Sequence, residues 1–168
     1  MTLLKTFWTP IVVYPDVKTG CKFVAAYTIA ISIFLMALLV HMQNGGESTQ
    51  MYNPFFEANL RELNYYVVYT LIFFAYMVGS SLLLLKGLNN NLRGFLLPWL
   101  IGMGFVVIFL LVWSIWLLYG YYIYIHIICA AVIYWIVAAM QFYCWLCVYT
   151  QYRVIYEMQS PNIELLIF

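Results

Sequence analysis

The side chains in this sequence that could do chemistry are few and far apart. Its cysteines are Cys21, Cys129, Cys144 and Cys147. Cys144-x-x-Cys147 has the spacing of a metal or redox pair. It lies within an apolar run beside Trp145, and no second such pair is there to complete a zinc site. His126 falls near one end of the same run, where it can reach water. Gln141 lies deeper and needs a partner, which reads as an interhelical hydrogen bond that fixes packing. An enzyme working inside a bilayer needs ionisable or metal-binding groups that face one another. The sequence offers no paired carboxylates, no His cluster and no Gly-rich phosphate loop. It therefore assigns no catalytic residue, no cofactor and no metal ligand, and points away from an enzyme.

The elements that would carry these residues are unusually apolar. From Gly94 to Tyr152 the sequence has no Asp, Glu, Lys or Arg. That length suffices to cross a bilayer, turn and cross back, since one span takes about 20 apolar residues. Tyr119-Gly120-Tyr121-Tyr122 in the middle has the look of a tight turn with tyrosines at headgroup level. The whole chain is 67% hydrophobic and 8% charged, with a mean hydropathy of +0.94. A net charge of +1 gives no footprint for a nucleic-acid partner.

In chain order the expectation is as follows. Residues 1–22 form a cytoplasmic or interfacial arm, broken by Pro10 and Pro15, without the apolar core or cleavage site of a secretory signal. Four spans occupy about 23–40, 64–85, 95–118 and 123–150, and residues 151–168 form a tail. Ala26 with Ala30, and Ala75 with Gly79, are small-xxx-small pairs at which a neighbouring helix can come close. Ser80 and Ser81 are expected to bond back to backbone carbonyls. Pro98 falls in the first turn of span three, with Trp99 beside it at the membrane interface. Basic residues set the orientation. Lys5, Lys18 and Lys22, then Lys86 and Arg93, then Arg153 all fall on one side of a four-span layout. The loop 41–63 carries Glu47, Glu57, Arg61 and Glu62, and the third loop has no charge. The positive-inside rule then puts both termini in the cytoplasm. The fold class is all-α, a polytopic four-helix transmembrane bundle.

Cys21, Cys144 and Cys147 lie near the cytoplasmic boundary of this layout, where cysteines are candidates for reversible palmitoylation or serve as plain packing residues. Tyr152-Arg153-Val154-Ile155 fits the Y-x-x-Φ pattern that sorting adaptors read as an extended peptide. Leu166-Ile167-Phe168 is an apolar carboxyl end of the kind PDZ domains capture. The bland alternative for both is a tail lying on the bilayer. Trp113 and Trp116, in the aromatic-rich hairpin, are candidates for a partner surface, because rigid rings with a polar tip suit protein contacts as well as lipid interfaces.

Val17-Lys18-Thr19-Gly20 running directly into span one, Leu96-Leu97-Pro98-Trp99-Leu100 opening span three, and Val148-Tyr149-Thr150-Gln151-Tyr152 closing span four resemble the lysosome-associated LAPTM-type family. They resemble still more its four-span insect relatives, the Pasiflora-type proteins of septate junctions. Claudins and tetraspanins fit less well. The first loop lacks the Trp and Cys residues of a claudin, and the third loop is too short for a tetraspanin. The resemblance implies a non-enzymatic membrane organiser that helps to assemble or traffic a larger complex, at the plasma membrane of occluding junctions. The alternative it leaves is an endolysosomal sorting or transporter-accessory subunit; a channel or transporter in its own right is weaker. Expected partners are lipids, other integral membrane proteins or further copies of the chain, and PDZ or adaptor proteins at the tail.

Overall fold

A computed structural model describes residues 17–43, 60–121 and 125–159. These form four long helices: α1 (Val17–Gln43), α2 (Leu60–Asn90), α3 (Leu97–Tyr121) and α4 (Ile125–Gln159), with a 3₁₀ turn at Arg93–Phe95 between α2 and α3. All four are long and apolar enough to cross a membrane, over Val17–His41, Tyr65–Asn90, Arg93–Gly120 and Ile127–Gln159. They are apolar nearly all round, as helices that face lipid must be. Phe34, Ile72, Ile101, Ile108, Ile133 and Ile136 are among the large side chains that stand exposed on the bundle.

The helices are longer than the apolar runs alone suggest. α1 starts at Val17, six residues before Phe23, so Lys18 and Lys22 lie within the helix. α4 runs past Thr150 to Gln159. Polar residues at the ends of a span continue the helix because its backbone bonds are internal and the neighbouring helices still cover one face.

α1 packs along α2 and α3 packs along α4, giving two hairpins. The hairpins then join side by side, α1 against α4 and α2 against α3, so that the four helices close a ring in chain order. The link between the hairpins is compact. α2 ends on Asn91, the one non-glycine residue with a left-handed backbone among those described (φ 53°). The Leu92 N–H then reaches back to the Gly87 carbonyl at 2.9 Å, a Schellman-type closure of the helix end. Gly87 is required there. A Cβ on it would stand 2.9 Å from Phe95 Cβ and 2.8 Å from Leu96 Cδ1.

The core gathers at this end of the bundle. Val17, Cys21, Val24 and Ala25 of α1 meet Leu84 and Leu88 of α2, Leu96, Trp99, Leu100 and Met103 at the start of α3, and Cys144, Val148 and Ile155 of α4. Trp99 is therefore not at the interface with solvent or lipid. It is completely buried. The Pro98 ring opens α3 without cost, and its neighbour turns inward to fill the space between four helices.

Candidate functional site

Where the hairpins meet, polar side chains line a seam that starts at the α2–α3 link and reaches the middle of the bundle. At the link, the Lys18 ammonium donates to Asn91 Oδ1 at 3.1 Å, and Gln159 Nε2 donates to the Asn91 carbonyl at 2.6 Å. Asn91 thus ties the start of α1 and the end of α4 to the turn after α2. The Arg93 guanidinium stacks 4.9 Å over the Tyr156 ring, and Lys86 Nζ sits 5.8 Å from the Phe95 ring centre. One helical turn further in, Cys21 Sγ approaches the Cys147 carbonyl at 3.6 Å. Tyr76 of α2 donates its hydroxyl to the Pro98 carbonyl at 2.8 Å, and Trp145 Nε1 of α4 donates to the Leu100 carbonyl at 2.9 Å. Both bond carbonyls in the first turns of α3 and so tie α2 and α4 to its start.

Deepest in the seam, Gln141 Nε2 of α4 donates to the Tyr27 hydroxyl of α1 at 3.3 Å. Tyr27 lies ten residues into α1, about 15 Å along the axis at 1.5 Å per residue, which is mid-membrane depth for a span of this length. Gln141 is only 7% exposed, and its Oε1 has no hydrogen-bond partner; nor has Nε1 of Trp99. Each orphaned atom costs about 1–3 kcal/mol relative to a satisfied one. Other hydroxyls are absorbed locally. Ser80 and Ser81 both donate back to the Met77 carbonyl, at 3.0 and 2.8 Å, as the sequence anticipates. Thr28 bonds Val24 in the same way at 2.8 Å. Ser114 bonds the Leu111 carbonyl and accepts the Trp135 indole N–H at 2.7 Å, linking α3 to α4 in the other half of their hairpin.

The residues singled out in the sequence fall into three groups. Gln141 lies in the seam, between hairpins. Ala26, Ala30, Ala75 and Gly79 do not pack inside the bundle at all; all four are exposed on its outer faces. A Cβ on Gly79 would meet nothing within 4 Å. Trp113 and Trp116 belong to a ring ladder running Phe73–Phe105–Phe109–Trp113–Trp116, with successive centroids 5.1–6.4 Å apart. Trp116 is half exposed. A second ladder, Phe142–Trp145–Tyr149–Tyr152, stacks along α4.

The structure does not favour the two regulatory expectations. Cys21, Cys144 and Cys147 are all buried between helices, so an acyl chain has no access to their sulfurs in this packing. Cys129 is the exposed cysteine. Tyr152 and Ile155 are not in an extended tail. They lie in α4, and Ile155 is completely buried in the core, so an adaptor could read the pattern only after α4 unwinds. The carboxyl-terminal Leu166-Ile167-Phe168 and the arm 1–16 lie outside the described residues, as does the side chain of His126. Among the described residues no three His, Cys, Asp or Glu side chains converge to hold a metal ion.

Sequence reasoning passed over Tyr27, Tyr76 and Asn91. A phenol at mid-span and a lone Gln on another span are natural complements, and that pairing was the available signal. Nothing in the sequence marks Asn91 above Asn89 or Asn90.

The fold and seam together define a multi-pass membrane bundle of four long apolar helices, several of whose polar side chains are hydrogen-bonded between helices. A family model described as Domain of unknown function (DUF4728) matches residues 70–156. The chain belongs to this family, and the matched stretch runs from within α2 to the last turns of α4, taking in Asn91, Trp99 and Gln141. No curated protein and no solved structure shows a significant match to the chain.

Proposed function

We propose that this protein is a non-enzymatic membrane organiser, which packs sideways against other integral membrane proteins and so helps to assemble or traffic a larger complex. The observation that carries the reading is the placement of the small residues. Ala26, Ala30, Ala75 and Gly79 stand on the outside of the bundle, and Gly79 has open space where a Cβ would go. Without a hydrophobic drive between helices in lipid, close backbone approach at small residues is a main source of association. Most of the buried polar groups named above are taken up within or between this chain's own helices, and the outer faces are left to lateral contact.

The likeness to Pasiflora-type and LAPTM-type tetraspan proteins supports a role at occluding junctions of the plasma membrane. Both termini are then cytoplasmic, with Lys18, Lys22, Lys86, Arg93 and Arg153 on the inner side. The endolysosomal alternative loses support from the burial of Ile155, since its Y-x-x-Φ pattern is folded away.

The test is a native pull-down in mild detergent, comparing the wild type with Ala30→Leu and Gly79→Leu. Bulk on those faces is expected to strip away co-purifying membrane proteins while leaving helix content and elution volume unchanged. Full retention of every partner by both variants would sink the reading. Localisation separates the compartments. A tagged chain that stays at lateral cell contacts after Tyr152→Ala fits the junction role. One that sits on late endosomes, and moves to the surface with Tyr152→Ala, fits the sorting role instead.

A further inference from the structure

Apart from Arg61, at the far end of α2, the Lys and Arg residues of the described helices do not only share one side. They form a collar in two tiers around the end where the helices are tied together. The outer tier is Lys18 and Arg93, at the level of the Asn91 hub and of Tyr156. Lys22 is four residues further along α1, Lys86 four residues before the end of α2, and Arg153 three residues before Tyr156 on α4. At 1.5 Å per residue, these three form an inner tier about 4.5–6 Å further along the helices toward the middle of the bundle. Because the helices ring the bundle in chain order, the tiers place a cation at every corner. Lys18 and Lys22 stand on α1, Lys86 on α2, Arg93 at the entry to α3 and Arg153 on α4.

The inner tier demands a counter-charge. Lys22, Lys86 and Arg153 are all exposed on the outer faces of helices long and apolar enough to cross a membrane. Among the described residues the acid at this end is Glu157, 3.8 Å from Arg153. Both partners are more than half exposed, so the pair holds Arg153 weakly. Lys86 rests over the Phe95 ring, and Lys22 has no ion-pair partner among the described residues. A cation on a helix surface that faces lipid is stable only if its head reaches the phosphate layer.

We propose that this collar is a binding site for anionic phospholipid headgroups, their phosphate oxyanions meeting Lys22, Lys86 and Arg153 from the sides of the bundle and Lys18 and Arg93 from its end. A soluble phosphate ester shares the oxyanion chemistry. The lateral position of the inner tier favours the lipid, because only a ligand that surrounds the bundle in the plane of the membrane reaches all three faces. The site is independent of the organiser reading and of any protein partner.

The test uses the full chain reconstituted in vesicles of phosphatidylcholine containing a minor fraction of phosphatidylserine or of a phosphatidylinositol phosphate, followed by gentle extraction and native mass spectrometry of the lipids retained. Anionic lipid should be enriched over phosphatidylcholine, by about fivefold for each cation engaged, from the usual attraction of a juxtamembrane Lys or Arg to an anionic surface. The enrichment should fall as salt is raised during extraction, and Lys22→Gln/Lys86→Gln/Arg153→Gln should abolish most of it at unchanged helix content. Equal retention of zwitterionic and anionic lipid by the wild type, or an enrichment indifferent to salt, overturns the proposal without recourse to any variant. Undiminished enrichment in a folded triple variant overturns it as well. Displacement of the retained lipid by an equimolar soluble inositol phosphate would assign the site to a free phosphate ester and overturn the lipid assignment.

Discussion

At Gly102 the α3 backbone lies close against α2 of the other hairpin, and replacing it tests how the two are joined. A Cβ at this position of α3 would stand 2.7 Å from Met77 Sδ and 3.0 Å from Tyr76 Cε1, both on α2. Ordinary carbon contacts are about 3.5–4.0 Å, so Gly102→Ala requires displacements of roughly 0.5–1 Å. The Met77 side chain can swing aside, being unbranched. Tyr76 cannot move freely, because its hydroxyl is held by the Pro98 carbonyl at 2.8 Å. Overpacking of this kind costs about 1–3 kcal/mol. Ala in a helix interior recovers about 0.5–1 kcal/mol relative to Gly. The net expectation is a destabilisation of about 0–2.5 kcal/mol, centred near 1, or up to roughly 10 °C in melting temperature for a chain of this size. Gly79→Ala is the internal control: its Cβ meets nothing within 4 Å, so the helix-propensity gain stands alone and the variant should be as stable as the wild type or more so. Thermal unfolding of both variants in the same detergent, followed by circular dichroism, reads the difference. Combining Gly102→Ala with Met77→Ala should return part of the loss, as contacting positions couple by 0.5 kcal/mol or more. If Gly102→Ala melts at or above Gly79→Ala, the close approach of α2 and α3 is not as described and the reasoning fails.

Other expectations follow from the seam. Tyr27→Phe leaves the Gln141 amide without its one partner and should lower stability by about 0.5–1.5 kcal/mol, whereas Gln141→Leu also removes an orphaned oxygen and should be close to neutral; melting curves of the two decide. Ser114→Ala should cost about 0.6 kcal/mol through the lost Trp135 bond and leave the α1–α2 hairpin untouched, which hydrogen exchange measured hairpin by hairpin can show. A small membrane-permeant maleimide should label Cys129 well before Cys21, Cys144 or Cys147 in folded protein, and all four after denaturation; prompt labelling of Cys147 would contradict its burial. Gly87→Val should disrupt the α2–α3 link, since its Cβ would press on Phe95 Cβ and Leu92 O, and is expected to cost more than Gly102→Ala in the same melting assay.

What the sequence determined by itself was the apolar surroundings of the protein and the number of helices long and apolar enough to cross a membrane. A stretch from Gly94 to Tyr152 without a formal charge, and two further apolar runs, can be satisfied only as helices in lipid, because each helix closes its own backbone hydrogen bonds. The local return of Ser80 and Ser81 to a backbone carbonyl was legible for the same reason: it depends on neighbours within one helix. Which face of each helix turns inward was not legible. In a soluble helix polarity marks the outward face, but in lipid both faces are apolar, so the sequence marks Ala26, Ala30, Ala75 and Gly79 as sites of close helix approach without saying which helix approaches, and they lie on the outside of the bundle, while Trp99 reads as an interfacial residue and is buried. Helix ends blurred for a related reason. Tyr152 and Ile155 carry a motif that a tail would expose, yet tertiary cover from the other helices keeps them coiled and buries Ile155. The pairing of Tyr27 with Gln141, the knot of Lys18, Gln159 and Asn91, and the tiering of the cations into a collar each join residues remote in sequence. Only the packing of one hairpin against the other brings them together.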